Sequence, residues 1–432
     1  MTKVHFITQG CSLNNADSQV MQHLLEKAGF GFAENAADSD IVIYNTCTVK
    51  GPTESTFRKR LKHIEELKKP IVITGCIAQT EPQLSKRYSV LGVDQIEHIV
   101  EVVEETLNGN IVSLLYQEPV ERLQFTKKRA NPVVEIIPIS QGCLGEPCSY
   151  CKVKQARGDL HSYSKDSIIK NARQAIKNRA KELWLTAQDT GCYGYDFIGT
   201  EDLSETRKYF LPQLVKDIAA LPGDFMIRIG MANPNHVKEF LDEFIEILKL
   251  PKVFKFVHIP VQAGNNEILE RMKRRYTAEE FKQIVHKLRK EIPELTVSTD
   301  IIAGFPGETK EQFTESVELV NETKPDILNV SKFWPRPNTA AARMKNKVDG
   351  GEIKDRVNWV NSMFDHVAYE RNKLWKGWQG EILIDEKGRD DSFIGRNYAY
   401  KQVIVRGDFE LGQKIKVKVI KPTIYDLRAE VV

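Results

Sequence analysis

The stretch Val133-Val-Glu-Ile-Ile-Pro-Ile139-Ser-Gln-Gly-Cys143-Leu-Gly-Glu-Pro-Cys148-Ser-Tyr-Cys151 sets a strand-like apolar run directly before three thiols. A zinc site usually draws four ligands from paired motifs, and no fourth Cys or His stands at a suitable spacing. Three thiolates on a four-iron cluster leave one iron open to a substrate or cofactor. The stretch therefore reads as the head of a catalytic domain that carries an iron–sulfur cluster, with zinc as the rival reading.

Downstream of it, strand patterns recur at Glu182–Thr186, Met226–Ile229, Phe254–Ile259, Thr296–Ile302 and Ile327–Lys332, with helical patterns between them. With Val133–Ile139 these make six βα units. They predict an α/β barrel or partial barrel of (β/α)6 type, with its chemistry at the C-terminal strand ends.

Upstream, strands at Val4–Thr8, Ile41–Asn45 and Ile71–Thr74 alternate with helical patterns such as Asp17–Ala28 and Thr53–Lys68. This alternation predicts a doubly wound parallel sheet. All three strands end alike, in Gln-Gly-Cys11, Asn-Thr-Cys47 and Thr-Gly-Cys76. Loops after parallel strands gather at one edge, so thiols 36 and 29 residues apart can converge on a shared metal site. The alternative is three buried core cysteines.

The C-terminal pattern changes to short strands, at Gly380–Asp385, Tyr400–Val405, Gln413–Ile420 and Leu427–Val431. This predicts a small β-barrel of a kind that often binds nucleic acid. The expected boundaries are residues 1–116, a polar linker 117–132, 133–368 and 372–432.

Composition adds bounds. The 432 residues carry a formal charge of +3. From Asn372 onward there are 12 Lys+Arg against 9 Asp+Glu, so the positive excess lies in the C-terminal barrel. Seven cysteines, an odd number, argue against a disulfide framework. Without a signal-like start or a run of about 20 apolar residues, the expected protein is cytoplasmic and makes no membrane contact.

The three-cysteine loop with Tyr150 before its last Cys resembles the radical S-adenosylmethionine superfamily. In that superfamily the open iron chelates S-adenosylmethionine, and one electron cleaves it to methionine and a 5′-deoxyadenosyl radical. This chain departs from the usual spacing, because four residues rather than three separate Cys143 from Cys148. Over nearly the whole chain the resemblance narrows to the methylthiotransferases. It is carried by Gln-Gly-Cys11-Ser-Leu-Asn, Asn-Thr-Cys47-Thr-Val, Gly-Cys76-Ile-Ala-Gln, Leu-Thr-Ala-Gln188-Asp-Thr-Gly, His-Ile-Pro-Val-Gln262 and the segment 299–309. The Arg228-Ile-Gly-Met-Ala-Asn-Pro segment and the pattern from Gln141 to Gly158 are similar to the archaeal and eukaryotic threonylcarbamoyladenosine branch.

The resemblance implies two [4Fe-4S] clusters, an auxiliary one on Cys11, Cys47 and Cys76 and a radical-generating one on Cys143, Cys148 and Cys151. It implies S-adenosylmethionine as cofactor, oriented by Tyr150, Gln188, Asp189, Arg228 and Gln262. It also implies a TRAM-like C-terminal RNA-binding barrel, and conversion of N(6)-threonylcarbamoyladenosine at tRNA position 37 to its 2-methylthio derivative. An electron donor and a sulfur source are needed as partners. Arg157, by resemblance, and the basic cluster holding Arg271, Arg274 and Arg275 are candidate contacts to the tRNA; an exposed helix face is the alternative for the cluster. Cys192 reads as structural, and His161, His236 and His258 as ordinary loop or core residues. Rival substrates are isopentenyladenosine in tRNA and a ribosomal-protein aspartate. A rival of another class is a non-catalytic zinc-bearing RNA-binding protein.

Overall fold

Ile41-Val-Ile-Tyr-Asn-Thr46 is rich in β-branched residues, and all six side chains are buried. A strand covered on both faces needs such a continuous run rather than an alternation. In the computed structural model, which describes residues 1–48, 51–197 and 210–432 (backbone alone for 51–53), this strand lies near the middle of a six-stranded parallel sheet. The strands are β1 (Lys3–Thr8), β2 (Gly31–Phe32), β3 (Ile41–Thr46), β4 (Ile71–Gly75), β5 (Ser89–Leu91) and β6 (Ser113–Leu114), in the order β2-β1-β3-β4-β5-β6. Helices Ser12–Lys27 and Ile99–Leu107 pack Val20, Met21, Leu25, Val102 and Val103 on one face. Helix Gly51–Glu66 packs Phe57, Leu61 and Ile64 on the other. The expected doubly wound sheet is present, with three short strands beyond the three read from sequence.

The second domain holds β7 (Val134–Pro138), a small antiparallel pair β8 (Ser140–Gln141) and β9 (His161–Ser162), then β10 (Glu182–Thr186), β11 (Met226–Ile229), β12 (Phe256–His258), β13 (Thr296–Ala303) and β14 (Ile327–Lys332). The six long-range strands run parallel as two triples, β11-β10-β7 and β12-β13-β14. A single bridge from Ile227 to Val253 joins the triples. With β7 and β14 as free edges, the result is a partial (β/α)6 barrel. Capping boxes at Thr277 with Glu280 and at Thr309 with Gln312 start two of its helices. Each box satisfies backbone donors that would otherwise be orphaned.

A long helix, Gly350–Lys373, leads into a closed barrel of β15 (Gln379–Lys387), β16 (Ser392–Arg396), β17 (Gln402–Arg406), β18 (Lys414–Pro422) and β19 (Leu427–Val431). Four strands were expected here; β16 is the fifth. Tyr400, expected in a strand, instead sits in a turn with a left-handed φ of 59°. Asn397 holds that turn by accepting the amides of Ala399 and Lys401 on its side-chain oxygen.

The small barrel docks on the N-terminal edge of the (β/α)6 barrel. Tyr400 packs on Phe254 and Phe256, just before and within β12. Lys401 pairs with Asp326 before β14, Lys414 with Asp224 before β11, and Asn131 before β7 donates to the Asp385 carbonyl. The polar segment 117–132 is not a loose tether. Its Arg122 is buried and pairs with Asp17 and Asp94. Among the described residues, no helix is long and apolar enough to cross a membrane.

Candidate metal centres

Cys11, Cys47 and Cys76 each follow a strand of the N-terminal sheet, and the topology gathers them as the repeated endings predicted. Cys11 caps helix Ser12–Lys27, Cys47 follows β3, and Cys76 opens the short helix Cys76–Thr80. Asn14 organises them. Its amide nitrogen donates to Asn45 and to the Thr46 carbonyl, and its oxygen lies 3.2 Å from the Cys11 sulfur and 4.0 Å from that of Cys76. Gly75 turns the chain into Cys76 with a φ of 85°, and a Cβ there would stand 2.4 Å from the Thr46 carbonyl oxygen. Only glycine fits. The Cys47 side chain, and after it Arg157, outweigh burial and bring the Cys76 thiol down to about 6.

Arg157 comes from the other domain. Its Nη2 sits 2.8 Å from Asp17 and 3.4 Å from the Asn14 side-chain oxygen. Its Nε and Nη1 make no well-formed hydrogen bond, although the side chain is only 1% exposed and the guanidinium bears on the Cys76 thiol.

The second set leaves the first barrel strand. The Gly142 amide donates to the Gln188 side-chain oxygen at 2.8 Å, and the Cys143 amide to the Gly158 carbonyl at 3.3 Å. Gly142 has a φ of 78°, and a Cβ there would fall 1.9 Å from the Asp159 carbonyl oxygen. Cys151 donates its amide to the Cys148 carbonyl. Ser149 is pinned to the carbonyls of Arg271 and Met272. Burial, then the neighbouring Cys151 and Cys148, push the Cys143 thiol up to about 12, as expected of three sulfurs sharing one space. The extra residue in the loop falls in the exposed tip Gly145-Glu146-Pro147. There Lys273 holds Glu146 at 3.0 Å.

The residues singled out for S-adenosylmethionine separate into groups. Tyr150, Gln188 and Gln262 lie at the barrel mouth; Gln262 takes a left-handed turn with a φ of 73°. Asp189 is also there, but its carboxylate is committed to the amides of Gly191 and Asn233, the Asn233 side chain and His236. Burial pushes that carboxyl up, but His236 and Asn233 outweigh it and hold it below the ordinary value. Arg228 does not join the mouth. Its guanidinium stacks on Trp184, Phe256 and Tyr400 at 5.0, 4.9 and 5.2 Å, against the C-terminal barrel. Its neighbours Ile227 and Ile229 enter the helix-side core, so strand alternation turns Arg228 the opposite way.

The arginines singled out for RNA also divide. Arg157 is buried at the first thiol set, and Arg274 is half-buried and donates to Cys148. Arg271 donates to the Pro306 carbonyl. Arg275 is exposed and lies over Gly145 of the cysteine loop.

Arg336, which sequence reading passed over, follows β14 and is half-buried. Burial pulls its pKa down, while Cys151, then Cys47, and Glu54 pull it up. One cation is thus influenced by a thiol of each set; the domain junction itself is made where Ala156 packs on Cys76 and Arg157 meets Asn14. The only sequence signal of Arg336 was its place at the end of the last barrel strand. Asn14 and Asp17 were equally silent, although they sit on the helix that Cys11 caps.

The donor sets fit clusters better than single ions. Three sulfurs on one zinc stand about 3.8 Å apart, given Zn–S bonds of about 2.3 Å. Among the described residues, one trio of potential ligand atoms lies within 4.8 Å of one another, and it belongs to neither thiol set: Asp189, Cys192 and His236. That trio is already spent on hydrogen bonds, Cys192 donating to the Asp189 carbonyl and His236 meeting the carboxylate. The N–H groups of Arg157 that make no well-formed hydrogen bond likewise call for an anionic group at the first set.

Residues 3–92 match a family described as uncharacterized protein family UPF0004, residues 137–320 the radical SAM superfamily and residues 377–432 the TRAM domain. A Pyrococcus horikoshii protein named probable threonylcarbamoyladenosine tRNA methylthiotransferase is 41% identical over 95% of this chain and 96% of its own length. The chain belongs to the threonylcarbamoyladenosine tRNA methylthiotransferase family. The Homo sapiens threonylcarbamoyladenosine tRNA methylthiotransferase is 40% identical over 96% of this chain and 72% of the human protein. Among solved structures, the radical S-adenosylmethionine methyltransferase TsrM from Kitasatospora setae superposes with a TM-score of 0.53 at 16% identity, covering 79% of this chain and 74% of its own. That likeness shows the shared fold. In this methylthiotransferase-family chain the UPF0004 match contains Cys11, Cys47 and Cys76, and the radical SAM match contains Cys143, Cys148 and Cys151. Membership in the radical SAM superfamily assigns it S-adenosylmethionine and iron–sulfur cofactors.

Proposed function

We propose that the protein converts N(6)-threonylcarbamoyladenosine at tRNA position 37 to its 2-methylthio derivative by radical S-adenosylmethionine chemistry, with one [4Fe-4S] cluster on each thiol set. One observation supports the two-cluster part: helix Val153–Arg157, which follows the second thiol set, packs Ala156 on Cys76 and sends Arg157 to Asn14, which also meets Cys11. Carbon 2 of an adenine is an unactivated C–H with no acid–base route at neutral pH. Clusters held at these sites would supply the electron for cleavage of S-adenosylmethionine, passed on from the electron donor, and the sulfur, replenished by the sulfur source.

The chain's own residues hold and enclose. Cys11, Cys47 and Cys76 ligate at one site, and Cys143, Cys148 and Cys151 at the other. Gln188 fixes the turn into Cys143, while Ser149 and Arg274 fix Cys148. Tyr150 and Gln262 are proposed to orient S-adenosylmethionine. Asp189 acts at one remove, by fixing the strand-end loop of Asn233. The TRAM barrel is proposed to guide the tRNA, with Arg275 the exposed cation beside the cysteine loop. The electron donor and the sulfur source are separate partners.

Nucleoside mass spectrometry of tRNA from a strain lacking the gene tests the substrate. Loss of the 2-methylthio form of threonylcarbamoyladenosine supports the reading, and an unchanged profile overturns it. Isopentenyladenosine losing its methylthio form instead would reassign the substrate. Anaerobic reconstitution tests the clusters: about eight iron atoms per chain, falling to about four in Cys47→Ala and in Cys148→Ala, match two four-iron sites. A colourless zinc protein would return the reading to RNA binding without catalysis.

A further inference from the structure

Helix Val153–Arg157 belongs to the barrel domain, yet its last side chain ends among the cysteines of the N-terminal domain. A guanidinium carries five N–H donors. In Arg157, Nη2 serves Asp17 and Asn14, while Nε and Nη1 are buried and make no well-formed hydrogen bond. Leaving a buried donor unsatisfied is costly, so an arrangement that retains two such atoms beside the Cys76 thiol points to an anionic acceptor at this thiol set. Besides Asp17, the anionic groups acting on Arg157 are Cys76 and Cys11. Arg122, also buried, pairs with Asp17 and Asp94, and Gln141, two residues before Cys143, donates to Asp94. Arg157 is therefore locked in place by a network spanning both domains.

We propose that Arg157 is a positioning residue for the N-terminal cluster: the barrel domain extends a fixed cation into the other domain's metal site, where its free N–H groups face the cluster and raise its reduction potential. This rests on the two-cluster reading above. Uptake of one electron adds a negative charge to a cluster already made anionic by its thiolates, and a nearby buried cation stabilises that reduced form. Net charge and hydrogen bonds to sulfur are known determinants of such potentials.

The test uses the full chain carrying Cys143→Ala, Cys148→Ala and Cys151→Ala, so that only the N-terminal site can load. About four iron atoms per chain are expected; a protein without iron would sink the two-cluster reading and this proposal with it. In that background, potentiometric titration followed by electron paramagnetic resonance compares Arg157→Gln, Arg157→Lys and Asp17→Asn. Arg157→Gln should lower the reduced-to-oxidised ratio at a fixed potential about tenfold, which is a midpoint about 59 mV more negative for one electron. Arg157→Lys, which keeps the charge, should shift less. Asp17→Asn, which frees the cation from its counter-charge, should shift the other way. A purely structural Arg157 would alter iron retention and leave the midpoint of the loaded fraction in place, and that result overturns the proposal. Should Arg157→Gln fail to fold, an unmoved midpoint in both Arg157→Lys and Asp17→Asn overturns it equally.

Discussion

The Nη1 of Arg274 stands 3.3 Å from the Sγ of Cys148, while its other nitrogens reach Tyr276, Asn233 and the Pro260 carbonyl. A residue that reads in sequence as part of an RNA-facing basic cluster is thus a donor to Cys148, a proposed cluster ligand. It ties that cysteine to the loops after two neighbouring barrel strands.

Arg274→Ala should therefore cost metal rather than RNA. The expected iron content after reconstitution falls from about eight toward about four atoms per chain, with tRNA affinity unchanged in a filter-binding or fluorescence assay. Weakened tRNA binding with full iron content would restore the surface reading of this arginine.

Arg228→Ala should loosen the docking of the C-terminal barrel. Three rings surround the guanidinium, and a desolvated cation–π contact is worth about 2 kcal/mol. The variant should unfold at lower urea and release the C-terminal barrel sooner to protease, with its affinity for S-adenosylmethionine intact by calorimetry. A selective loss of cofactor affinity would contradict the observed geometry.

Asp326 makes the same interface sensitive to acid. Burial pushes its carboxyl up, but Lys401, Arg371 and Arg289 outweigh it and hold it at about 2. A carboxyl held below its unfolded value stabilises the fold above that value, near 4, and the contribution fades as pH falls through about 2. The shift corresponds to roughly 2–3 kcal/mol at neutral pH. Asp326→Asn should remove this part of the acid response and cost about 3–5 kcal/mol, since it strands buried cations. Urea unfolding from pH 2 to 7 reads both effects; parallel curves for parent and variant would count against the assignment.

Deletion of Pro147 should leave iron content at the parent level. The three sulfurs are placed by contacts elsewhere, through Gly142 to Gln188, Cys143 to Gly158 and Ser149 to Arg271 and Met272. The inserted position is in the exposed tip. Loss of about four iron atoms would mean that the tip sets the ligand geometry.

Much of this organisation was legible in local pattern. Strands β10, β11 and β14 lie where β-branched and apolar runs between helical patterns put them, and the convergence of Cys11, Cys47 and Cys76 follows from strand endings alone. The rest depended on partners distant in the chain. Arg228 alternates with the buried Ile227 and Ile229, which turns it off the helix-side core but does not say what it meets there, and Tyr400 completes its cage from 172 positions away. Arg157 looks like a surface cation until Asp17 is placed beside it. Strand β16, Ser-Phe-Ile-Gly-Arg, is weakened as a pattern by Ser392 and Gly395 and shows itself only through pairing with β15 and β17.

The C-terminal barrel is anchored before the strands of the central domain, and the cysteines emerge after them. The strand that leads to the cysteine loop, β7, has five residues, which at about 3.3 Å each is about 17 Å. A nucleic acid that touches both ends must run along the outer wall for a distance of that order. The molecule is thereby a caliper: a nucleic acid shorter than that reach meets one end alone, and only a longer, rigid arm can be gripped at both.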